Sequence, residues 1–486
     1  MVSSHTPGRP TRRQVLQTLG LTATAAALAA CSSGKQKSPD QLTFWSHNGE
    51  MQELFKKTFA GYEKQPGGLP VELKYEPLKT MGQSLQLAWQ SDQMPDIHTL
   101  AGLNLPPAAL HEKGWFAPID LGDAEQRLPA GSLIDGIHRF DGKTYSFPVV
   151  SFRQHWAPVW YRADAVSKLG LDPDAPPRTY DEFRAACRKA KKASGGKVFG
   201  WMSKLGGGDH MTPAITDLAQ GAGFTGSFAG TDFRTGEYAF HSDAFVTAVE
   251  FLLSLHKDKL MFPGSVTIDG LQAQLRWAGG AAAYFFDGPW LPGMVKRQLA
   301  QKSEQLRVAP MLVPDSGTAV TAYRDPQQGN FWISSKSKHA EAASQLLREH
   351  FTTPEFFAGI ASSSAVPANL DAVAKADVHP EYRKLVGWYQ EQVFLAPSPA
   401  RANPDVAKVL AKVRPVQPNY PDTLHGLFTG DLPDVRKALK QLSDNLSAER
   451  ERALKEAVGE GAKTSLDDWA FPNWKPGADY TEDQYA

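Results

Sequence analysis

The sequence predicts an α/β protein of two or three domains built on largely parallel sheets, and three observations carry that prediction. Short apolar or alternating runs that read as strands are separated by amphipathic stretches of 11–15 residues, the spacing of βαβ units. The same alternation begins near residue 42 and returns beyond residue 195. The chain has 486 residues, 42% of them hydrophobic, which is enough for two or three separate cores.

In chain order, residues 1–14 contain Arg9, Arg12 and Arg13 and no acid, and an Ala-rich stretch follows over 15–30. That stretch is short of the roughly 20 residues that span a bilayer and is diluted by Gln17, Thr18, Thr22 and Thr24, so it reads as a signal-peptide h-region. Residues 31–40 are polar and read as a tether. Leu42-Thr43-Phe44-Trp45 is a buried strand, and 49–62 a helix with Met51, Leu54, Phe55, Phe59 and Tyr62 inward. Residues 71–75 alternate as a second strand. A helix over 80–90 has Met81, Leu85 and Trp89 on one face, and 95–99 is a third strand. The helix over 181–193 is announced by Thr179 and Glu182, a capping box, and aligns Phe183, Cys187 and Ala190. The alternation returns at 195–202, 240–256, 281–286 and 330–351. Beyond residue 354 helices are expected at 380–392, 434–445 and 448–458, and the aromatic, Pro-rich tail over 469–486 as an ordered surface loop.

Charge and motifs narrow the function. With 52 basic and 52 acidic residues, nothing in the net charge attracts nucleic acid. Two cysteines make neither a disulfide scaffold nor a thiolate metal cluster, and Cys187 reads as a small core residue. No G-x-S-x-G, H-E-x-x-H, P-loop or EF-hand spacing occurs, and the 13 histidines are scattered, so no catalytic residue, metal or cofactor is expected. Ser335-Lys336-Ser337-Lys338 and Ser443-Asp444-Asn445 echo penicillin-binding motifs, but the latter lies inside a helix and too near Lys463-Thr464-Ser465 to face it across a cleft. A secreted glycoside hydrolase or polysaccharide lyase stays open as an alternative, because its carboxylate pair has no fixed sequence spacing.

Several segments resemble known families. Thr11-Arg12-Arg13-Gln14-Val15-Leu16 resembles a twin-arginine export signal, and Leu28-Ala29-Ala30-Cys31 a bacterial lipobox, which implies a lipid anchor at Cys31 once residues 1–30 are removed. Asp141-Gly142-Lys143-Thr144-Tyr145-Ser146-Phe147-Pro148, Trp160-Tyr161-Arg162-Ala163-Asp164, Pro177-Arg178-Thr179-Tyr180-Asp181-Glu182-Phe183 and Phe286-Asp287-Gly288-Pro289-Trp290 follow one another in the order seen in the solute-binding proteins of bacterial ABC sugar importers. Thr353-Pro354-Glu355 and Val366-Pro367-Ala368 continue the likeness.

The resemblance implies a two-lobed, hinged fold of the type II periplasmic-binding kind with a mostly helical C-terminal part. Lobe one would be 40–150 plus 314–351, lobe two 156–307 plus 369–486, with hinges near 151–155, 308–313 and 352–368. It implies a carbohydrate, expected to be an oligosaccharide, held between the lobes by aromatic faces and polar side chains. Trp290, Trp156, Tyr161, Trp201 and Tyr323 are the candidate rings. His47, Asn48, Glu50, Asp209, Asp287 and Gln328 are the candidate hydroxyl partners. The partners implied are permease subunits and, through Cys31, the membrane; a monomer anchored on the outer face of the cytoplasmic membrane is expected. A peptide or polyamine is the other class of solute to weigh.

Overall fold

The computed structural model describes residues 40–103, 105–205 and 211–485, so the readings at Arg12, Arg13, Cys31 and Asp209 lie outside the described residues. Two sheets organise the rest. The first runs, edge to edge, Val71–Tyr75, Leu42–Ser46, Ile97–His98, Trp332–Ser334 and Phe116–Ala117. Its first three strands are parallel, with Phe44 opposite both Leu73 and Ile97, and the helices Gln52–Tyr62 and Leu78–Gln90 make the crossovers. Trp332–Ser334 enters antiparallel to both of its neighbours. The core on this sheet is aromatic: the ring of Phe44 lies 5.1–5.8 Å from those of Phe55, Phe59, Phe331 and Phe351.

The second sheet runs Leu306–Ala309, Val159–Arg162, Ala282–Phe286, Phe199–Met202. Here the expectation of largely parallel pairing fails. Only Phe199–Met202 lies parallel to its neighbour, while Val159–Arg162 is antiparallel on both sides. Strand–helix alternation counts elements but does not record from which direction the chain re-enters a sheet. The helix Tyr180–Ala193 covers this sheet with Phe183, Cys187 and Ala190 inward, and its capping box forms as expected: Thr179 Oγ1 accepts from Glu182 N at 3.2 Å. Cys187 is a buried thiol whose ionisation burial pushes up.

Two expectations for the C-terminal part need correction. One helix, Val435–Gly459, replaces the two at 434–445 and 448–458. Leu446-Ser447 contains no glycine or proline to interrupt the hydrogen-bond ladder. The tail is a core rather than a surface loop: Phe471, Trp474 and Tyr480 are buried against Phe233, Tyr323 and Ala396. The underlying short ladder pairs Ala322–Arg324 with Val393–Leu395. No helix among the described residues is long and apolar enough to cross a membrane.

Candidate ligand-binding cleft

The first wall of the cleft grows from the carboxyl end of Leu42–Ser46. There the chain turns through a single 3₁₀ turn, Gly49–Met51, and leaves His47, Asn48 and Glu50 beside the residues that follow Ile97–His98. Ser46 Oγ accepts from Asn48 N at 3.1 Å, fixing the turn, and His47 Nδ1 meets Thr99 Oγ1 at 2.9 Å. Loss of water around His47 lowers its pKa to about 4, so at neutral pH it is an uncharged donor–acceptor rather than a cation. The same effect raises the Glu50 carboxyl above its usual range, with Arg297 pulling the other way.

The floor is residues 327–330. Asn330 Oδ1 accepts from Val149 N at 2.8 Å and Val150 N at 3.3 Å, and Trp332 Nε1 donates to Gly329 O at 3.0 Å. A Cβ at Gly329 would fall 1.9 Å from Ser146 Oγ, so no other residue fits this close approach.

The opposite wall is Trp290, which follows the strand Ala282–Phe286. Its indole lies over Gly288, where a Cβ would come within 2.2 Å of the ring. Beneath it Asp287 is wholly buried and fully used. It accepts from Lys204 Nζ at 2.5 Å, Gln274 Nε2 at 2.6 Å and Gly288 N at 2.8 Å, while its carbonyl accepts from Trp160 Nε1 at 2.9 Å. Lys204 Nζ lies 5.8 Å from the Trp290 ring, and the Trp156 ring is 6.2 Å away. Trp156 is itself held, its backbone N–H donating to Asp217 Oδ2 at 2.6 Å and its ring 5.2 Å from the Arg324 guanidinium, which also bonds Asp217.

Between these walls lies a cavity of about 520 Å³ that His47, Asn48, Glu50, Trp290 and Gln328 all line. A half-buried indole face, uncharged polar groups and one carboxylate suit a ligand with both C–H faces and hydroxyls.

A family comparison adds to this geometry. Residues 45–355, well over half of the chain, match the model of the bacterial extracellular solute-binding proteins. The chain belongs to that family. Comparison with curated protein sequences returns no match. Among solved structures, this solute-binding protein is similar to an ABC transporter solute-binding protein of Thermotoga lettingae bound to α-D-tagatose, at 19% identity and a TM-score of 0.62, over 85% of this chain and 100% of that one. It is also similar to the maltotriose-binding protein of Thermus thermophilus, at 18% identity and 0.61 over 85% and 100%, and to the sugar-binding protein MalE of Xanthomonas citri, at 17% identity and 0.58 over 87% and 99%. These likenesses place the fold.

Not every candidate reaches the cleft of this solute-binding protein. Tyr161 is buried and its hydroxyl donates to Pro173 O at 2.7 Å; Trp201 has no exposed surface and packs 5.3 Å from Phe286; Tyr323 lies in the tail's aromatic cluster. Each sits on a strand that is buried on both faces, so none presents a ring to a ligand in this structure. Asp287 supports the platform from below and Trp156 stands behind it; neither lines the cavity. Thr99, Gln154, Gln327, Asn330 and Ser364 line the cavity and were missed. Gln327 and Asn330 flank a residue that was chosen, and the strand end before Thr99 was the available signal for the third.

Proposed function

We propose that this protein captures a saccharide in the cleft and delivers it, unaltered, to permease subunits of an ABC importer. The observation that carries the reading is the half-buried Trp290 face set across the cavity from the neutral His47, Asn48 and Gln328. Two of the solved neighbours named above are bound to tagatose and to maltotriose, which agrees with a sugar of one to a few rings. Glycoside hydrolysis needs two carboxyl groups flanking the bond. Glu50 is the one carboxylate among the described residues lining this cavity, which favours capture over hydrolysis, and a single carboxylate beside an indole face and amide side chains suits a sugar better than a peptide's two charged termini or a polyamine's several ammonium groups.

The two sheets would be the cores of two lobes closing on the ligand. Residues 149–151 and 366–368 run beside each other between them, with Ser151 N donating to Val366 O and Ala368 N to Val149 O, both at 2.8 Å, which suits a pair of hinge strands. Because Ala322–Arg324 pairs with Val393–Leu395, we draw the return to lobe one after residue 325 rather than at 314. The basic leader and Leu28-Ala29-Ala30-Cys31 support export and a lipid anchor at Cys31 on the outer face of the membrane, the protein acting as a monomer.

A thermal-shift series over mono- and oligosaccharides tests the main reading. A bound sugar raises Tm because ligand binding adds RT ln(1 + [L]/Kd), about 2.7 kcal/mol at a hundredfold excess over Kd. Trp290→Ala is expected to weaken the hit by roughly 1–3 kcal/mol. Shortened or unsaturated sugars after incubation would overturn capture. For the anchor, Cys31→Ser should release the protein into the medium; retention at the membrane would refute it.

A further inference from the structure

The end of the second sheet that faces away from the cleft is basic. The strands Phe199–Met202 and Ala282–Phe286 lie parallel and both run toward the cleft, leading to Lys204 and Trp290. The helix Tyr180–Ala193 joins the start of Phe199–Met202 through five residues, so its C-terminal end stands at the far pole. There the helix carries Arg188, Lys189, Lys191 and Lys192, and Lys197 follows it. The end of the helix Asp243–Lys257 lies against them. Arg188 Nη2 meets Asp258 Oδ2 at 2.6 Å and Lys191 Nζ donates to Lys259 O at 2.7 Å, which brings Lys257 and Lys259 to the same pole.

Asp258 is the one acid in residues 183–208 and 251–268. Lys189, Lys192, Lys197, Lys257 and Lys259 are exposed, and none has an acidic partner among the described residues. Other helices balance their cations: Lys408 meets Asp405 at 2.7 Å, Lys412 meets Glu460 at 2.6 Å and Lys440 meets Asp444 at 2.8 Å. A helix end favours cations in its last turn, but Lys197 and Lys259 lie past both helix ends. The chain as a whole leans the other way. Without residues 1–30, which hold three arginines and no acid, it has 49 basic and 52 acidic residues.

We propose that this pole is a docking surface for the anionic headgroups of the membrane on which the chain is anchored. The choice of a membrane rests on the anchor proposed above; the pole's attraction to an anionic surface does not. Lysine ammonium groups gain by approaching a layer of lipid phosphates without needing a fixed geometry, and each further lysine adds to the gain. The attraction fades within a Debye length, about 8 Å at physiological salt, so alone it does not hold the protein in the medium. A chain already tethered to the membrane meets the headgroups at high effective concentration, where weak contacts suffice to orient it. Because the pole lies at the strand ends remote from Trp290, docking there leaves the cleft open to solvent.

The test uses the mature chain with Cys31→Ser, which carries no lipid, and vesicles of phosphatidylcholine with or without phosphatidylglycerol. At low ionic strength the protein is expected to sediment with the mixed vesicles and not with phosphatidylcholine alone, and to come off in high salt. Lys189→Gln, Lys192→Gln and Lys197→Gln together should weaken binding at least fivefold. The same loss of three charges at Lys57, Lys64 and Lys113, exposed around the first sheet, should change it less than twofold, which separates the pole from net charge. Both triple variants should keep the sugar-induced thermal shift, since neither touches the cleft. Release of Cys31→Ser from cells tests the anchor and vesicle binding without lipid tests the pole, so either reading can fail alone. Absence of vesicle binding, equal binding to both kinds of vesicle, or equal loss in the two triple variants would overturn the proposal. So would binding to inorganic polyphosphate with none to vesicles. If the first triple variant does not fold, Lys257→Gln with Lys259→Gln on the neighbouring helix carries the same expectation and the same refutation.

Discussion

Lys204 and Asp287 form an ion pair with 2% and 0% of their side-chain surfaces exposed, directly behind the indole of Trp290. Such a pair contributes little net stability compared with an apolar replacement of both, but losing one partner strands the other charge away from water. Lys204→Met should therefore destabilise the protein by roughly 3–5 kcal/mol in urea unfolding, and loosen Gly288 and Trp290 enough to weaken sugar binding as well. A Lys204→Met protein as stable as wild type would refute a structural role for this ion pair. At this scale the sequence was informative where a residue follows a strand end: His47, Asn48, Glu50 and Trp290 all meet in the cavity. It was misleading for Tyr161, Trp201 and Tyr323, because aromatic type does not say that both faces of a strand are covered.

The helix Tyr180–Ala193 shows how two local devices differ in weight. Its capping box satisfies backbone N–H groups at the first turn, so Thr179→Ala should cost about 1 kcal/mol. Its packing is far less forgiving. A Cβ at Gly200 would fall 2.2 Å from Cys187 Cβ and 2.6 Å from its Cα, a backbone atom that cannot step aside. Gly200→Ala should cost about 1–3 kcal/mol, and more than Thr179→Ala. Parallel urea titrations check the order; a reversal would show that helix and strand can slide apart. The cap was legible in the sequence because it is local, whereas the demand on Gly200 depends on a helix some seven residues back returning across its strand. The same distinction explains the C-terminal tail. Its aromatic content was plain, but its partners Phe233 and Tyr323 lie far away along the chain.

Across the whole molecule, three deeply buried histidines govern the response to acid. His98 and His138 are depressed to about 4 and His155 to about 3, chiefly by loss of water, with Arg324 adding to the effect at His155. In the unfolded chain each takes up a proton near pH 6.5. Below that pH the unfolded state binds protons that the folded state refuses, so the stability they contribute is complete above about 6.5 and falls away toward the folded values. Asp325, raised to about 6, acts in the opposite sense: its contribution is present at low pH and is lost as pH rises through about 6. His47 and His350 are lowered by burial as well, and Glu50 and Asp217 raised by it, so five rings stand against three carboxyls among the described residues, which should leave Tm lower at pH 5 than at pH 7.5. Calorimetry across that range is the check, and a flat profile would contradict the burial of the histidines as neutral rings.

The position of Trp332–Ser334 in the first sheet sets a timetable for biosynthesis. When about 320 residues have left the ribosome, the second sheet has all four of its strands, yet the first still has a gap between Ile97–His98 and Phe116–Ala117. Phe116–Ala117 has no other partner in that sheet, and Phe331 and Phe351 are missing from the ring cluster around Phe44. The part made first is therefore finished last, and until then an unpaired strand edge is open to other chains. Nascent chains halted before residue 330 should yield their N-terminal region to protease, and chains halted beyond residue 400 should resist it. The protein thus spends much of its synthesis as a client for whatever shields unfinished chains.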